Sequence, residues 1–358
     1  MSAPSTSRDI AAGDLIVVGG GVIGLTSALA LAARGLRVTL VDRASGPAAE
    51  ASGAAAGIIS LLYPWEYPDS VQALARYSRE RYPHWYSKFM VTGLVSFDLG
   101  PDDAGERLDA ARIAELVPGV APPHAAGATW LRDVGAVEPR YLSATLAARA
   151  ADADVVLRWG SEAASIALGD GAVRGVVLAN GTALMAPRVL VAAGPWSDAL
   201  LAPLGLRVPV RPVRGQLIEY AGAQGVLNTI VTHEHRYLLP RGDGRIVAGS
   251  TAEEVGFDAG VTDAAADALR RFAGALLPAL AGLPVARQWS GLRPASPDGV
   301  PLIGPVPEID GLWLNVGHFR NGVTLAPGSA ELLAAMATGA APTLDPTPYQ
   351  RLYSATPC

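Results

Sequence analysis

The 358-residue sequence has a single cysteine, Cys358, at its last position. One cysteine cannot form an intramolecular disulfide or build a Cys-rich zinc site. Sequences this poor in cysteine are typical of reducing compartments. We therefore expect a cytoplasmic protein whose fold depends on its apolar core.

Basic residues are also few, and they are scattered. Lysines and arginines together number 28 against 33 aspartates and glutamates, and Lys88 is the only lysine. The formal net charge is −5 and no basic cluster is present. This charge pattern argues against a nucleic-acid partner.

Charge is missing altogether from residues 15–33, a stretch long enough to span a bilayer. Glycines at positions 19, 20, 21 and 24 crowd its first half, and it lacks the basic region and the small-residue cleavage site of a signal peptide. We expect a buried strand, a tight turn and a helix here, and no membrane span.

Apolar residues make up 50% of the sequence, and there are 40 glycines. This composition is typical of a folded protein with a sizeable core. The apolar run at residues 15–18 predicts a strand buried on both faces of a parallel sheet. A helix is expected at residues 22–34, with Gly35 as its stop, and a second strand at residues 37–41. These elements form a βαβ unit.

Inside this unit, Gly19, Gly21 and Gly24 satisfy the pattern G-x-G-x-x-G, and Asp42 ends the second strand. The pattern in this context is typical of dinucleotide sites, because the glycines let a pyrophosphate approach the helix amino terminus and the acidic residue binds the ribose. It does not distinguish NAD, NADP and FAD. A glycine-rich turn without a ligand is the alternative interpretation.

Residues 317–322 read Gly-His-Phe-Arg-Asn-Gly and lie between a predicted strand and a predicted helix. This segment resembles the carboxy-terminal flavin loop of the glycine oxidase branch of the D-amino-acid oxidase superfamily. Residues 54–57, 192–197 and 291–294 resemble the same family at the expected places. Together with the amino-terminal unit, these matches span nearly the whole chain.

The resemblance implies an α/β fold, with a Rossmann-like FAD-binding domain and a second, α+β substrate domain built on an antiparallel sheet. Buried-strand patterns return after the first unit, so the FAD-binding domain is expected to be discontinuous. We expect it to comprise residues 13–92, 138–207 and 288–345. The substrate-binding domain is expected at residues 93–137 and 208–287, with a helix at residues 263–280. The polar residues 1–8 predict a loose tail.

The resemblance also implies FAD in an elongated site. The related sarcosine oxidases attach their flavin through a cysteine, and with only Cys358 available we expect non-covalent binding. Backbone N–H groups of the loop from His318 to Thr324 would stabilise negative charge on the pyrimidine edge of the reduced ring. The residues expected around the cofactor are Gly19, Gly21, Val22, Ile23, Gly24, Asp42, Arg43, Ser52, Ala56, Gly57, Ile58, Ala163, Gly194, His318, Arg320, Asn321, Gly322, Val323 and Thr324.

The carboxylate of an amino acid needs a rigid bidentate partner, and a guanidinium offers that planar fork. We assign this role to Arg293, with Arg320 on the other side of the carboxylate or supporting the flavin loop. The resemblance suggests that Tyr237 lines the same pocket, beside His235. Alternatives are a loop role for Arg293 and a core-packing role for Tyr237. His233 and His235, expected on one face of a strand, could suggest a metal pair, but no further ligand cluster supports one.

The implied reaction is the oxidation of glycine, sarcosine, D-alanine or a larger amine, and residues 61–65 would shape the substrate entrance. A hydride would pass from Cα to flavin N5, the imino acid would hydrolyse to a keto acid and ammonium, and dioxygen would yield hydrogen peroxide. A supply of imine for the thiazole of thiamine and a homo-oligomeric state are implied by the resemblance alone. The rivals are an FAD-dependent D-amino-acid dehydrogenase using a quinone or carrier, a nicotinamide dehydrogenase, and a non-catalytic nucleotide-binding partner protein.

Overall fold

The computed structural model describes residues 9–86, 89–102, 104–125 and 127–351. The expected loose tail at residues 1–8 and Cys358 lie outside the described residues. The helices are α1 Val22–Ala32, α2 Ala51–Ala54, α3 Asp69–Trp85, α4 Ala110–Leu116, α5 Pro139–Asp152, α6 Ser197–Leu201, α7 Asp263–Leu276 and α8 Gly322–Ala337. The strands are β1 Asp9–Ala11, β2 Leu15–Val18, β3 Val38–Val41, β4 Ile58–Ile59, β5 Met90–Val91, β6 Leu94–Ser96, β7 Glu106–Leu108, β8 Ala128–Leu131, β9 Gly135–Ala136, β10 Val156–Arg158, β11 Ala163–Gly169, β12 Ala172–Leu178, β13 Ala183–Met185, β14 Val189–Val191, β15 Arg211–Tyr220, β16 Ile230–His233, β17 Arg236–Pro240, β18 Ile246–Gly249, β19 Val285–Ala295, β20 Leu302–Pro305 and β21 Leu312–Val316.

A six-stranded sheet in the order β10-β3-β2-β14-β21-β20 forms the centre of the first unit. Neighbouring strands run parallel except β20, which pairs antiparallel with β21. Leu15 and Val17 of β2 pack among α1, α3, α5 and α8, whereas Ile16 and Val18 pack against a four-stranded sheet, β1-β13-β12-β11. Both faces of β2 are therefore buried, which explains its continuous apolar run.

The expected βαβ unit is present close to its predicted bounds. Helix α1 begins directly after Gly21 and ends at Ala32, before Gly35, whose φ of 86° only glycine adopts readily. Strand β3 then returns parallel to β2. The uncharged stretch at residues 15–33 is thus a strand, a turn and a helix. Among the residues that the structure describes, no helix is long and apolar enough to cross a membrane.

The second unit is an eight-stranded sheet in the order β19-β15-β18-β17-β16-β6-β8-β7, mostly antiparallel. Side chains alternate between its two faces along β15. Ile218 packs with Leu269 and Phe272 of α7, whereas Leu217 packs with Tyr237 on the opposite face. That opposite face is the one that meets the first unit. The architecture agrees with the fold class expected from the sequence.

The domain bounds expected from the sequence stay a prediction. The strands of the six-stranded sheet all fall inside the segments predicted to bind FAD. Strand β19, however, spans the predicted bound at residues 287 and 288 and belongs wholly to the antiparallel sheet.

Two local expectations differ from the structure. The helix expected at residues 263–280 ends at Leu276, because Leu277 precedes Pro278 and takes a non-helical conformation. The sequence predicts His233 and His235 on one face of a strand, but β16 ends at His233. His235 lies in the following turn with a φ of 58°.

Candidate active site

A cleft of about 920 Å³ runs between the two units, along the carboxyl ends of the parallel strands. All four residues predicted to handle the substrate line it: Arg293, Arg320, Tyr237 and His235. The predicted cofactor residues that line it are Gly19, Gly21, Val22, Ile23, Asp42, Arg43, Ser52, Ala56, Gly57, Ile58, Ala163, Gly194, His318, Arg320, Asn321, Gly322 and Val323. The cleft wall does not include Gly24 or Thr324.

The glycine turn forms one end of the cleft. Gly19 has a φ of 118°, and a Cβ there would overlap the Ala192 carbonyl. A Cβ on Gly24 would overlap the Gly19 carbonyl, so Gly24 serves the close packing of α1 on its strand. The first turn of α1 has no acidic residue, and the Val22 N–H donates to Ser52 Oγ at 3.0 Å. The positive end of the α1 dipole therefore faces the cleft, and the first turn of the helix itself carries no carboxylate.

Asp42 holds the backbone of this turn. Its Oδ2 accepts from the Gly20 N–H at 2.5 Å and its Oδ1 accepts from the Ala44 N–H at 2.7 Å. The neighbouring Arg43 lies with Cζ 4.0 Å from the centre of the Trp196 ring and forms an ion pair with Glu50 at 2.7 Å. The predicted contact of Asp42 with a ribose stays a prediction.

Three buried polar atoms at the other end of the cleft have no hydrogen-bond partner within the described part of the chain: Ser296 Oγ, Asn315 Oδ1 and Asn321 Nδ2. Buried polar groups are normally satisfied, so these three atoms leave hydrogen-bonding capacity unused beside the cleft. Helix α8 also begins here, at Gly322, without a side-chain cap. A polar ligand edge placed here would meet these atoms and the helix amino terminus.

His318 contributes its backbone rather than its side chain to this end of the cleft. The imidazole is buried, and its Nε2 lies 3.0 Å from Ser329 Oγ of α8. Burial lowers the pKa of His318 to about 3, so the ring is neutral near pH 7. Thr324 is similarly turned away, with its hydroxyl donating to the Ile58 carbonyl at 3.1 Å.

These features fit the elongated shape of a flavin dinucleotide. The glycine turn and the amino terminus of α1 can hold the pyrophosphate at one end. The unpaired atoms of Ser296, Asn315 and Asn321 can hold the polar edge of a ring system at the other.

Arg293 projects from β19 into the cleft, where its guanidinium is anchored at two points. Nη2 donates to Ser250 Oγ at 2.7 Å and Nη1 donates to the Thr251 carbonyl at 3.0 Å. Within the described residues, no carboxylate lies within ion-pair distance of it. Burial lowers the pKa of Arg293 to about 10, which leaves the side chain cationic at neutral pH. Arg293 is therefore an oriented cation with further N–H groups for an anion.

Tyr237 projects from β17 beside Arg293 and Ser250, and only 6% of it is exposed. Burial raises the pKa of its phenol, while the nearby Arg293 lowers it in part. Tyr237 also belongs to an apolar cluster with Leu217 and Leu239. Tyr237 thus both packs in the apolar core and lines the cleft.

The other two predicted substrate residues lie at more open positions. Arg320 is exposed, with Cζ 5.2 Å from the centre of the Phe319 ring. The His235 ring lies 4.6 Å from the Tyr63 ring, and its Nε2 lies 3.8 Å from Glu66 Oε1.

Several cleft residues were not among the predicted site residues. Tyr63, Glu66 and Tyr67 line the substrate end, and the Tyr63 hydroxyl donates to Asp98 Oδ2 at 2.8 Å. The sequence indicates the stretch at residues 61–65 only as an entrance. No sequence motif around Ser250 indicates a functional role. Ser250 comes close to Arg293 only because β15 pairs with both β18 and β19.

Comparison with known proteins gives consistent matches over most of the chain. A family model described as FAD dependent oxidoreductase matches residues 14–336. The chain is 43% identical to a glycine oxidase of Pseudomonas aeruginosa, over 94% of this chain and 97% of that protein. It is 32% identical to a D-amino acid dehydrogenase of Cereibacter sphaeroides, over 92% of this chain and 93% of that protein. The crystal structure of glycine oxidase from Geobacillus kaustophilus superposes with a TM-score of 0.87 at 27% identity, covering 96% of this chain and 99% of that one.

Proposed function

This chain belongs to the FAD-dependent oxidoreductase family, and we propose that it oxidises glycine or a close analogue, such as sarcosine or D-alanine. The products would be the keto acid, ammonium or the corresponding amine, and hydrogen peroxide. The family membership makes the chain an FAD-dependent oxidoreductase that acts on amino acids. The choice of substrate and of dioxygen as electron acceptor belongs to the proposal.

The observation that carries the proposal is the anchored guanidinium of Arg293. Its two anchors, Ser250 Oγ and the Thr251 carbonyl, leave N–H groups free for the two oxygens of a carboxylate. Each such charge-assisted hydrogen bond contributes about 1.5–3 kcal/mol. A substrate carboxylate held at both oxygens would fix the direction of its Cα–H bond.

FAD would lie in the same cleft without a covalent link, because Cys358 is the only cysteine of the sequence. The glycine turn and Ser52 would contact its pyrophosphate, and the backbone of the loop at residues 318–323 would contact its ring. When bound, FAD supplies the hydride acceptor and, after reduction, the electrons that convert dioxygen to hydrogen peroxide.

The protein side chains would orient the substrate rather than take its protons. His318 is buried and neutral, and it contacts Ser329 instead of the cleft. Burial raises the pKa of Tyr237, so its phenol stays protonated and can donate a hydrogen bond to the carboxylate. The substrate would therefore react as the neutral amine, after it loses a proton to solvent, and the imine product would hydrolyse in water.

If glycine is the physiological substrate, the imine could serve the synthesis of the thiamine thiazole. That role, like a homo-oligomeric state, is proposed from the family resemblance. The similarity to a D-amino acid dehydrogenase favours a second candidate, in which a quinone or carrier accepts the electrons.

The test is a product assay on the purified yellow protein in air. With glycine as substrate, we expect equal amounts of glyoxylate, ammonium and hydrogen peroxide. Turnover that requires an artificial electron acceptor and yields no peroxide would show a dehydrogenase instead of an oxidase. No turnover of glycine, sarcosine or D-alanine with either acceptor would contradict the proposed substrate class.

A further inference from the structure

Glu253 lies behind the sheet that carries Arg293, and it accepts hydrogen bonds from three side chains. Its Oε2 accepts from Arg214 Nη2 at 2.6 Å, and its Oε1 accepts from Gln216 Nε2 at 2.9 Å and from the Thr251 hydroxyl. Arg214 and Gln216 are buried, at 4% and 0% exposure. Partial burial alone would raise the pKa of Glu253, but hydrogen bonds from Thr251, Arg214 and Gln216 lower it. Glu253 is thus an ionised residue with a fixed position.

Thr251 connects this cluster to the cleft. Its N–H donates to the Gln216 carbonyl at 3.2 Å, and its Oγ accepts from the Gln216 N–H at 2.9 Å while donating to Glu253. The backbones of Glu253 and Arg214 also exchange two hydrogen bonds of 2.9 Å. The Thr251 carbonyl, held in place by these contacts, accepts from Arg293 Nη1 at 3.0 Å. One residue therefore joins the Glu253 cluster to the guanidinium.

We propose that Glu253 is a positioning residue for Arg293, which acts by fixing the Thr251 carbonyl that orients the guanidinium toward the substrate carboxylate. The inference rests on the carboxylate-binding role proposed above for Arg293. An arginine side chain has several rotatable bonds, so its planar fork binds a carboxylate at both oxygens only when the protein fixes its plane. Ser250 Oγ fixes one amino group and Thr251 fixes the other.

The experiment measures the dissociation constant of acetate for the FAD-loaded protein. Acetate has a carboxylate but no amino group, so it can bind without being oxidised. Saturation-transfer NMR reports acetate binding directly, and perturbation of the visible band reports it beside the flavin. In Glu253→Gln, the carboxamide keeps the size but loses the charge and one acceptor, and we expect acetate to bind about tenfold more weakly. FAD content should stay unchanged. The control is Asp267→Asn on α7, whose side chain is 55% exposed and pairs with Arg270 away from the cleft, and it should bind acetate like the parent.

A second pair of variants tests the connection and does not depend on whether Glu253→Gln folds. Thr251→Val removes the hydroxyl and should weaken acetate binding, whereas Thr251→Ser keeps it and should restore binding to within about twofold of the parent. Equal acetate binding in the parent, Glu253→Gln and Thr251→Val would overturn the positioning role. Equal weakening in Thr251→Val and Thr251→Ser would do the same.

Arg293→Ala separates this inference from the proposed function. If Arg293→Ala weakens acetate binding and Glu253→Gln and Thr251→Val do not, only the positioning role fails. If Arg293→Ala binds acetate as well as the parent does, the proposed carboxylate site itself is wrong, and the positioning role is overturned with it.

Discussion

Gly215 and Arg293 face each other diagonally across the β15–β19 pair, and a Cβ on Gly215 would occupy the space of the guanidinium. The absence of a side chain at one position thus makes room for the cation at the other. Because the obstructed group is the end of a flexible side chain, an added methyl group would displace Arg293 without breaking the sheet.

We therefore expect Gly215→Ala to lower kcat/KM for glycine by roughly tenfold to a hundredfold, since a misplaced binding group costs about that much. Steady-state kinetics should show the loss while the melting temperature changes little. Gly282→Ala is the control, because a Cβ there meets no atom within 4 Å. Unchanged kinetics in Gly215→Ala would show that the position of the guanidinium does not matter.

Replacing Arg293 tests the carboxylate contact itself. Loss of two charge-assisted hydrogen bonds, each about 1.5–3 kcal/mol, should lower kcat/KM by about 10² to 10⁴ in Arg293→Ala. Arg293→Lys keeps the charge but loses the fork, so it should recover only part of the activity. Arg271→Ala, an exposed arginine of α7, should behave as the parent. Full activity in Arg293→Lys would argue that charge alone binds the substrate.

The buried His318 should make the protein sensitive to acid. Burial lowers its pKa to about 3 in the folded state, against 6.5 as the ordinary value. As the pH falls, the unfolded chain is protonated at this histidine before the folded protein is. The contribution of the neutral His318 to stability is therefore fully present above pH 6.5 and is lost as the pH falls toward 3. At pH 5 the loss amounts to about 2 kcal/mol.

His318→Gln should therefore show a smaller drop in the free energy of unfolding between pH 7 and pH 5 than the parent protein. Urea denaturation of the FAD-loaded protein at both pH values measures this difference. His84→Gln, at an exposed site of α3, should leave the drop unchanged. An identical drop in His318→Gln and the parent would mean that His318 does not titrate as described.

Phe257 should affect the affinity for FAD although it lies outside the cleft wall. Its ring packs 5.7 Å from the Trp196 ring, which in turn stacks on Arg43 beside the glycine turn. Aromatic pairs contribute about 0.5–1.5 kcal/mol, so Phe257→Ala should raise the FAD dissociation constant about twofold to tenfold. Quenching of FAD fluorescence on binding to the apoprotein measures it. Val261→Ala, on the same segment, serves as the control, and equal affinities would refute the contact.

The glycine turn and the strands around it could be predicted from the sequence because their parts are contiguous. Gly19, Gly21 and Gly24 lie between a buried strand and a helix, and the structure shows a steric reason for glycine at the first and the last of these positions. The loop at residues 317–322 is also contiguous, and its assignment depends on the family resemblance. Local patterns of this kind need no knowledge of tertiary contacts.

In the substrate half of the cleft, the sequence predicts individual residues but not how they are arranged in space. Arg293, Tyr237 and Ser250 come from β19, β17 and the segment after β18, and strand pairing alone brings them together. Their hydrogen bonds could not be derived from spacing. The sequence also does not predict the turn that carries His235. Glu234 and His235 both have a positive φ, and neither residue type indicates that conformation as strongly as glycine does.

Anaerobic mixing shows whether a small amino acid reduces the bound flavin, which is the step that the proposed function requires. Glycine, sarcosine and D-alanine are added separately to the yellow protein without oxygen, and the visible band is followed. We expect at least one of them to bleach the band in the parent, and we expect the bleaching to slow by orders of magnitude in Arg293→Ala. A flavin band that none of the three amines bleaches would show that the protein does not oxidise small amino acids.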